Sequence, residues 1–249
     1  IDYRDPFVFQ DPDTGTFHML VTSALAKPVV DGYGGCLAHL TSPDLARWEV
    51  QEPLFESSYA GPPECPDLFS WNDWWYLLYS HGLVTHYRMA RGPLGPWQRP
   101  VVDTLDGAMA AVMKTAPFGS RRRLGVAWVG TREGNLDHGA RQWGGALAFR
   151  ELTQHPDGTL GTRFVPEMVP SLHPKLELPM QALTDQTSVT ADSATMTSPL
   201  GIEVAAMSGV PRYAHITMQI EPNDAHAFGL KLRSSGPFAA GYDLHFSPH

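Results

Sequence analysis

The feature that most restricts what this chain can fold into is an internal repeat. Pro6-Phe7-Val8-Phe9, Phe17-His18-Met19-Leu20 and Ser42-Pro43-Asp44-Leu45-Ala46-Arg47-Trp48 return as Pro66-Asp67-Leu68-Phe69, Trp75-Tyr76-Leu77-Leu78 and Arg91-Gly92-Pro93-Leu94-Gly95-Pro96-Trp97. The copies are offset by roughly fifty to sixty residues, enough for three or four strands each. Such a unit cannot cover its own hydrophobic faces, and radial stacking as propeller blades covers them. A third copy with degraded similarity is read at "KTAPFGSRRRLGVAWVG" followed by "QWGGALAFREL". The competing arrangement is a β-sandwich with coincidental tryptophan spacing.

The strands themselves are read from short apolar runs bounded by Gly, Pro, Asn and Asp: "PFVF", "TFHMLVTS", "GCLAHLTS", "WWYLLYS", "LGVAWVG" and "GALAFREL". Helix-length amphipathic stretches are hard to find, so the fold class is all-β. "QDPDTGTF" and "HPDGT" carry the turn residues that punctuate hairpins. Four prolines within "VPEMVPSLHPKLELP" read as an extended segment between domains. Beyond it, "ITMQIEP", "AFGLKLRSS" and "GYDLHFSP" alternate apolar and polar residues like half-exposed antiparallel strands. The expected organisation is a propeller domain over 1–170, a linker over 171–182 and a partial β-sandwich over 183–249.

Charge and composition exclude several partners. The 249 residues hold 18 Lys plus Arg against 26 Asp plus Glu, a net charge of −8. That balance lacks the electrostatic footprint for nucleic acid or an anionic membrane, and a neutral or small partner is expected. No apolar run reaches the roughly 18 residues of a membrane span, and the start "IDYRDPFVFQ" lacks the pattern of a signal peptide. It reads as a truncated or processed end with a strand already under way. Cys36 and Cys65 are the two cysteines, too few for a disulfide framework or a cysteine-rich zinc site, and two buried thiols are favoured over a bridge. The eleven histidines fall in no ligand spacing, so no metal is implied, and no G-x-S-x-G or phosphate loop is present.

Two acidic residues stand out, Asp5 and Glu64, read at matching positions on the leading edges of successive blades, where inner strands converge on a central channel. Glycoside cleavage needs such convergence: one carboxyl protonates the leaving oxygen while others stay ionised beside the developing positive charge. The bland alternatives are an ion pair or capping contact for Asp5 and a solvated edge charge for Glu64. Trp71, Trp74, Trp75, Tyr76 and Tyr79 offer a sugar-stacking platform or, as alternating strand aromatics more often do, a core.

In order along the chain, "YRDP", "TSPDLARWEV", "ECPDLF" and "WGGALAFRELTQHPDGTL" resemble the signature blocks of glycoside hydrolase family 32, the invertases, inulinases and levanases. The resemblance implies a five-bladed β-propeller followed by a β-sandwich, and hydrolysis of β-fructofuranosidic bonds in sucrose or fructans with retention, without a cofactor. Position by position, it implies Asp5 as transition-state stabiliser beside Arg4, and Glu64 as acid/base with Cys65 shaping its surroundings. Trp143 matches an active-site tryptophan, and Lys114 a Lys-Thr pair whose preceding tyrosine is replaced by Ala111. The family's nucleophile lies in a first-blade Asn-Asp-Pro motif ahead of Arg-Asp-Pro, for which this chain has no counterpart. Asp11, in a turn after a short strand, does not fit that role. The expectation is that the first blade is missing or supplied by another segment or chain, and that this polypeptide alone is inactive. The alternatives are a family 43-like arabinoside or xyloside hydrolase and a non-catalytic carbohydrate-binding protein.

Overall fold

The computed structural model describes residues 3–107, 110–169, 174–198, 201–236 and 239–247. The chain divides into two compact units, Ile1–Val169 and Pro170–His249.

The first unit is built from three four-stranded antiparallel sheets, each a meander of neighbouring strands. The first holds β1 (Arg4–Gln10), β2 (Phe17–Ala24), β3 (Gly35–Ser42) and β4 (Glu49–Glu56). The second holds β5 (Glu64–Trp71), β6 (Trp74–His81), β7 (Val84–Ala90) and β8 (Thr104–Leu105). The third holds β9 (Ala110–Phe118), β10 (Arg122–Arg132), β11 (Arg141–Gln154) and β12 (Leu160–Arg163). The turns form where their residues demand. Asp11 closes the β1–β2 hairpin through its backbone, Asp11 N to Thr16 O at 2.9 Å, while its carboxylate accepts the Asp13 N–H at 2.9 Å. His155 N and Thr159 O meet at 2.8 Å across the β11–β12 turn, with Gly158 at φ 87°.

The leading strand of every sheet carries the same bulge. Pairing slips between Arg4 and Phe7 in the first sheet and between Glu64 and Asp67 in the second. In the third it slips between Ala111 and Lys114. Each bulge holds one residue at positive φ: Asp5 at 55°, Cys65 at 51° and Val112 at 56°. A left-handed backbone costs a non-glycine residue on the order of 1 to 2 kcal/mol, and is a true outlier for β-branched valine. Its recurrence in three sheets marks a device of the repeat, one that re-aims side chains at a strand end. The bulges also fix the equivalences: Arg4, Glu64 and Ala111 share one register position, and Asp5, Cys65 and Val112 share the next. Asp5 and Glu64 are therefore not at matching positions, as the sequence reading held; they are offset by one.

Packing explains the run "WWYLLYS". Strand residues alternate between faces, and the second sheet is covered on both. Leu68, Leu77 and Tyr79 pack with Leu20 and Leu37 of the first sheet, joined by Phe7, Phe9, Phe55 and Trp75. Phe69, Tyr76, Leu78, Tyr87 and Met89 pack with Met113, Ala127, Leu152 and Leu160 of the third. Tyr76 and Tyr79 are 0% and 1% exposed, and the aromatic cluster is core rather than a sugar platform. The sheets are also stitched by polar contacts: Asp67, nearly buried, accepts the Thr115 N–H at 2.8 Å and its hydroxyl at 2.7 Å.

Among the described residues, the second unit forms three separate two-stranded ribbons. They pair β13 (Met180–Ala182) with β16 (Ala205–Met207), β14 (Thr187–Val189) with β15 (Ala194–Met196), and β17 (Phe228–Leu232) with β18 (Tyr242–Phe246). "FGLKL" and "YDLHF" pair as strands, whereas "ITMQIEP" makes no ladder. Facing sheets of a sandwich are not shown among the described residues. Two-stranded ribbons cannot cover an apolar face, and Ile202, Tyr213 and Ile216 stay exposed. Among the described residues no helix is long and apolar enough to cross a membrane.

Candidate active site

The leading strands of the first two sheets and the β10–β11 hairpin of the third line a cavity of about 330 Å³. Its walls bring together Arg4 and Asp5 from β1, Glu64 and Cys65 from β5, and Trp143 from β11. Five of the six site residues singled out in the sequence thus share one space, although nearly 140 positions separate the first from the last. Ser80, Leu83, Val112 and Trp128 complete the lining. Sequence reasoning missed these four. Val112 and Trp128 become visible only when the third repeat is aligned through its bulge, which its degraded similarity hides.

The polar wall is tightly connected. Arg4 Nη2 donates to Glu64 Oε1 at 2.5 Å, and Arg4 Nε lies 3.5 Å from Asp5 Oδ2. Because Arg4 and Glu64 occupy the same register position in adjacent sheets, their side chains reach the same end of the stack and meet. Asp5 Oδ2 also accepts the Cys65 N–H at 3.2 Å and the hydroxyl of Thr22, which is fully buried, at 3.3 Å. The left-handed backbone at Asp5 and Cys65 permits this contact between the two bulges. Burial, then the Asp5 charge, pushes the Cys65 thiol up to about 11, so it is a neutral wall group and no nucleophile at neutral pH. Both cysteines are free, Cys36 buried and Cys65 half-buried.

The opposite wall is aromatic. Trp143 is 89% exposed, and its ring lies 5.5 Å from that of Trp128 at 41°. It stands where β11 kinks: pairing with β10 slips between Gly130 and Thr131, and Gly144 and Gly145 follow at φ 82° and 152°. A Cβ on Gly145 would lie 2.0 Å from the Val129 carbonyl, so glycine is required for the close approach. Lys114 does not line the cavity. Its Nζ donates to Pro66 O at 2.6 Å, behind the Cys65-Pro66 wall, and sits 5.5 Å from the Phe7 ring centroid. Asp11 lies past the far end of β1 from Asp5, a separation of roughly 20 Å at strand rise. Among the described residues no cluster of His, Cys, Asp and Glu could hold a metal ion. Two carboxylates flanking an arginine, opposite two indoles, suit a neutral polyhydroxylated ligand: acceptors and donors for hydroxyls, and rings for C–H faces.

No family model matches the chain, and no curated protein matches it. Solved structures do. An inulosucrase from Halalkalicoccus jeotgali bound to kestose superposes with a TM-score of 0.51 at 19% identity, over 65% of this chain and 49% of that one. A family 32 β-fructofuranosidase from Bombyx mori gives 0.51 at 20% identity, over 73% and 42%. A xylan β-1,4-xylosidase from Bacillus halodurans C-125 gives 0.53 at 15% identity, over 80% and 42%. The chain spans about half or less of the length of each. At these identities the likeness is one of fold, and the first unit shares its stacked four-stranded sheets with glycoside hydrolases of the propeller type.

Proposed function

We propose that this chain is part of a glycoside hydrolase whose substrates are β-fructofuranosides, sucrose or fructans, cleaved with retention of configuration. One observation carries the reading: the Arg-Asp-Pro, Glu-Cys and Trp-Gly-Gly segments, remote in sequence, line a single cavity. In this reading Glu64 protonates the leaving oxygen and then activates water, Asp5 holds ring hydroxyls and stays ionised, and Arg4 orients both. Cys65 and Trp143 shape the wall, and Lys114 acts on the substrate through the Cys65-Pro66 segment. No cofactor takes part.

With Glu64 as acid/base and Asp5 as stabiliser, the roles the resemblance implies, retention needs a further carboxylate as nucleophile, and among the described residues the cavity has these two. We infer that it arrives on a further four-stranded sheet seated against the first. Val8, Met19, Leu40 and Val50 form one continuous cross-strand row on the free face of that sheet. By register, Val8 and Met19 are the equivalents of Leu68 and Leu77, which in the second sheet are covered by a neighbouring sheet. Five such blades followed by a sandwich complete the proposed architecture, with 1–170 in the propeller, 171–182 as linker and 183–249 in the sandwich.

Fructose release from sucrose, inulin and levan tests this, using the chain alone and a longer polypeptide carrying the additional sheet. Activity confined to the longer form and lost in Glu64→Gln supports the reading; activity of the chain alone contradicts the need for a further sheet, and no fructose release by either form contradicts the fructoside reading. The xylosidase likeness favours a second reading, cleavage of arabinosides or xylosides, which the corresponding aryl glycosides discriminate. Glycan binding without turnover in every form leaves a carbohydrate-binding protein.

A further inference from the structure

We propose that Trp128 is a substrate-positioning residue, forming with Trp143 an aromatic seat for the sugar ring of the leaving group. The inference rests on the glycosidase reading and deepens it. At the register position of Trp128, the first two sheets carry the small hydroxyl residues Thr22 and Ser80, each opposite a charged leading-strand residue, Arg4 or Glu64. The third sheet exchanges both: Trp128 stands opposite Ala111. The indole occupies room that a large side chain at 111 would fill. Gly130 extends that room, since a Cβ there would lie 3.3 Å from Trp128 Cζ3. Small residues on two sides thus aim a large ring into the cavity, where it meets Trp143 at 5.5 Å between centroids. An indole that merely filled the core would be covered, yet Trp128 is only half-buried and lines the cavity.

The order of the sheets assigns the ring that binds there. Asp5 is on the first sheet, Glu64 on the second and the indoles on the third, with the second packed between the other two. Glu64 gives its proton to the oxygen joining the two sugars. The sugar whose hydroxyls meet Asp5 lies on the first-sheet side of that oxygen, so the leaving group lies on the third-sheet side, against the indoles.

The test is calorimetric binding to the intact chain with sucrose, kestose, methyl β-fructofuranoside and xylobiose as probes. Trp128→Ala weakens sucrose and kestose about tenfold and the methyl fructoside less than about twofold, because stacking on a second sugar is worth roughly a factor of ten. Trp128→Phe, which keeps a ring in the seat and guards against misfolding, retains most of the affinity. Equal losses for the methyl fructoside and sucrose, or no loss for either, overturn the inference and leave the fructoside reading standing. If the wild-type chain binds xylobiose but no fructoside and Trp128→Ala weakens it, the seat stands and the fructoside reading falls. No binding of any probe overturns both.

Discussion

A pair of histidines inside the first unit makes its stability sensitive to mild acid. His18 Nδ1 and His39 Nε2 lie 2.8 Å apart on β2 and β3, 5% and 8% exposed, with Phe9 stacked on His18 at 5.0 Å. The bond needs one ring to donate and the other to accept. Burial, then the neighbouring His18, lowers His39 from 6.5 to about 4; burial also lowers His18, opposed by the charge of Asp11. In the unfolded chain a histidine takes its proton near 6.5, so the unfolded state binds more protons below that pH. The neutral pair's contribution is intact above about pH 7 and is lost as pH falls from 6.5 toward 4. At about 1.4 kcal/mol per pH unit, His39 alone accounts for about 2 kcal/mol lost by pH 5, a sizeable part of a domain's 5 to 15 kcal/mol. Urea unfolding at pH 7.5 and pH 5 measures it, with His39→Gln as the control that cannot titrate. The wild type is expected to lose about 2 kcal/mol more than the variant over that interval. Equal losses in the two proteins refute the reasoning.

Three further outcomes follow from the seams of the stack. Asp67→Ala strips two charge-assisted hydrogen bonds, both to Oδ2, from Thr115 and is expected to cost about 3 to 5 kcal/mol. In a double-mutant cycle with Thr115→Ala, the denaturation data should yield a coupling of about 1.5 kcal/mol or more; simple additivity contradicts the seam. Gly35→Ala places a Cβ 2.2 Å from the Gly61 carbonyl. It should destabilise by about 1 to 3 kcal/mol through backbone displacement, read as a lowered Tm; an unchanged Tm counts against the close approach of the β4–β5 connection to β3. Thr22→Val removes a buried hydroxyl from Asp5 and Pro63, costs about 1 to 3 kcal/mol, and should weaken sugar binding at the Asp5 wall in the same titration.

Much of the sheet stack was legible because its causes are local. Prolines, aspartates and glycines mark the hairpins, and the repeat Pro6 to Phe9 against Pro66 to Phe69 aligns in space as it does in sequence. The convergence of Asp5 and Glu64 was legible from the repeat, which sets both at blade edges, whereas Trp143 joined them only through a resemblance, since nothing local in "WGG" says that it meets them. What sequence could not show was the bulge. One extra residue shifts every later side chain, and in the third sheet it hid Trp128 opposite Ala111. Arg4 and Glu64, by contrast, stand as far apart in sequence as Pro6 and Pro66, so their shared position was already present in the repeat. The aromatics of β6 could have been platform or core, and the decision lay in sheets packing on both faces, a tertiary fact. In the second unit the alternation of "ITMQIEP" promised a strand, but alternation specifies a strand only where a partner pairs with it.

The central claim is that Glu64 is a proton donor in a glycosidase whose nucleophile lies on another sheet. Its most direct test is fructose release by the polypeptide carrying that sheet, compared with the same polypeptide bearing Glu64→Gln. The account predicts turnover of sucrose or a fructan that falls by about 10² to 10⁴ in the variant, with binding retained. A longer polypeptide that folds and binds fructosides but turns none over, or a Glu64→Gln variant as active as its parent, contradicts it.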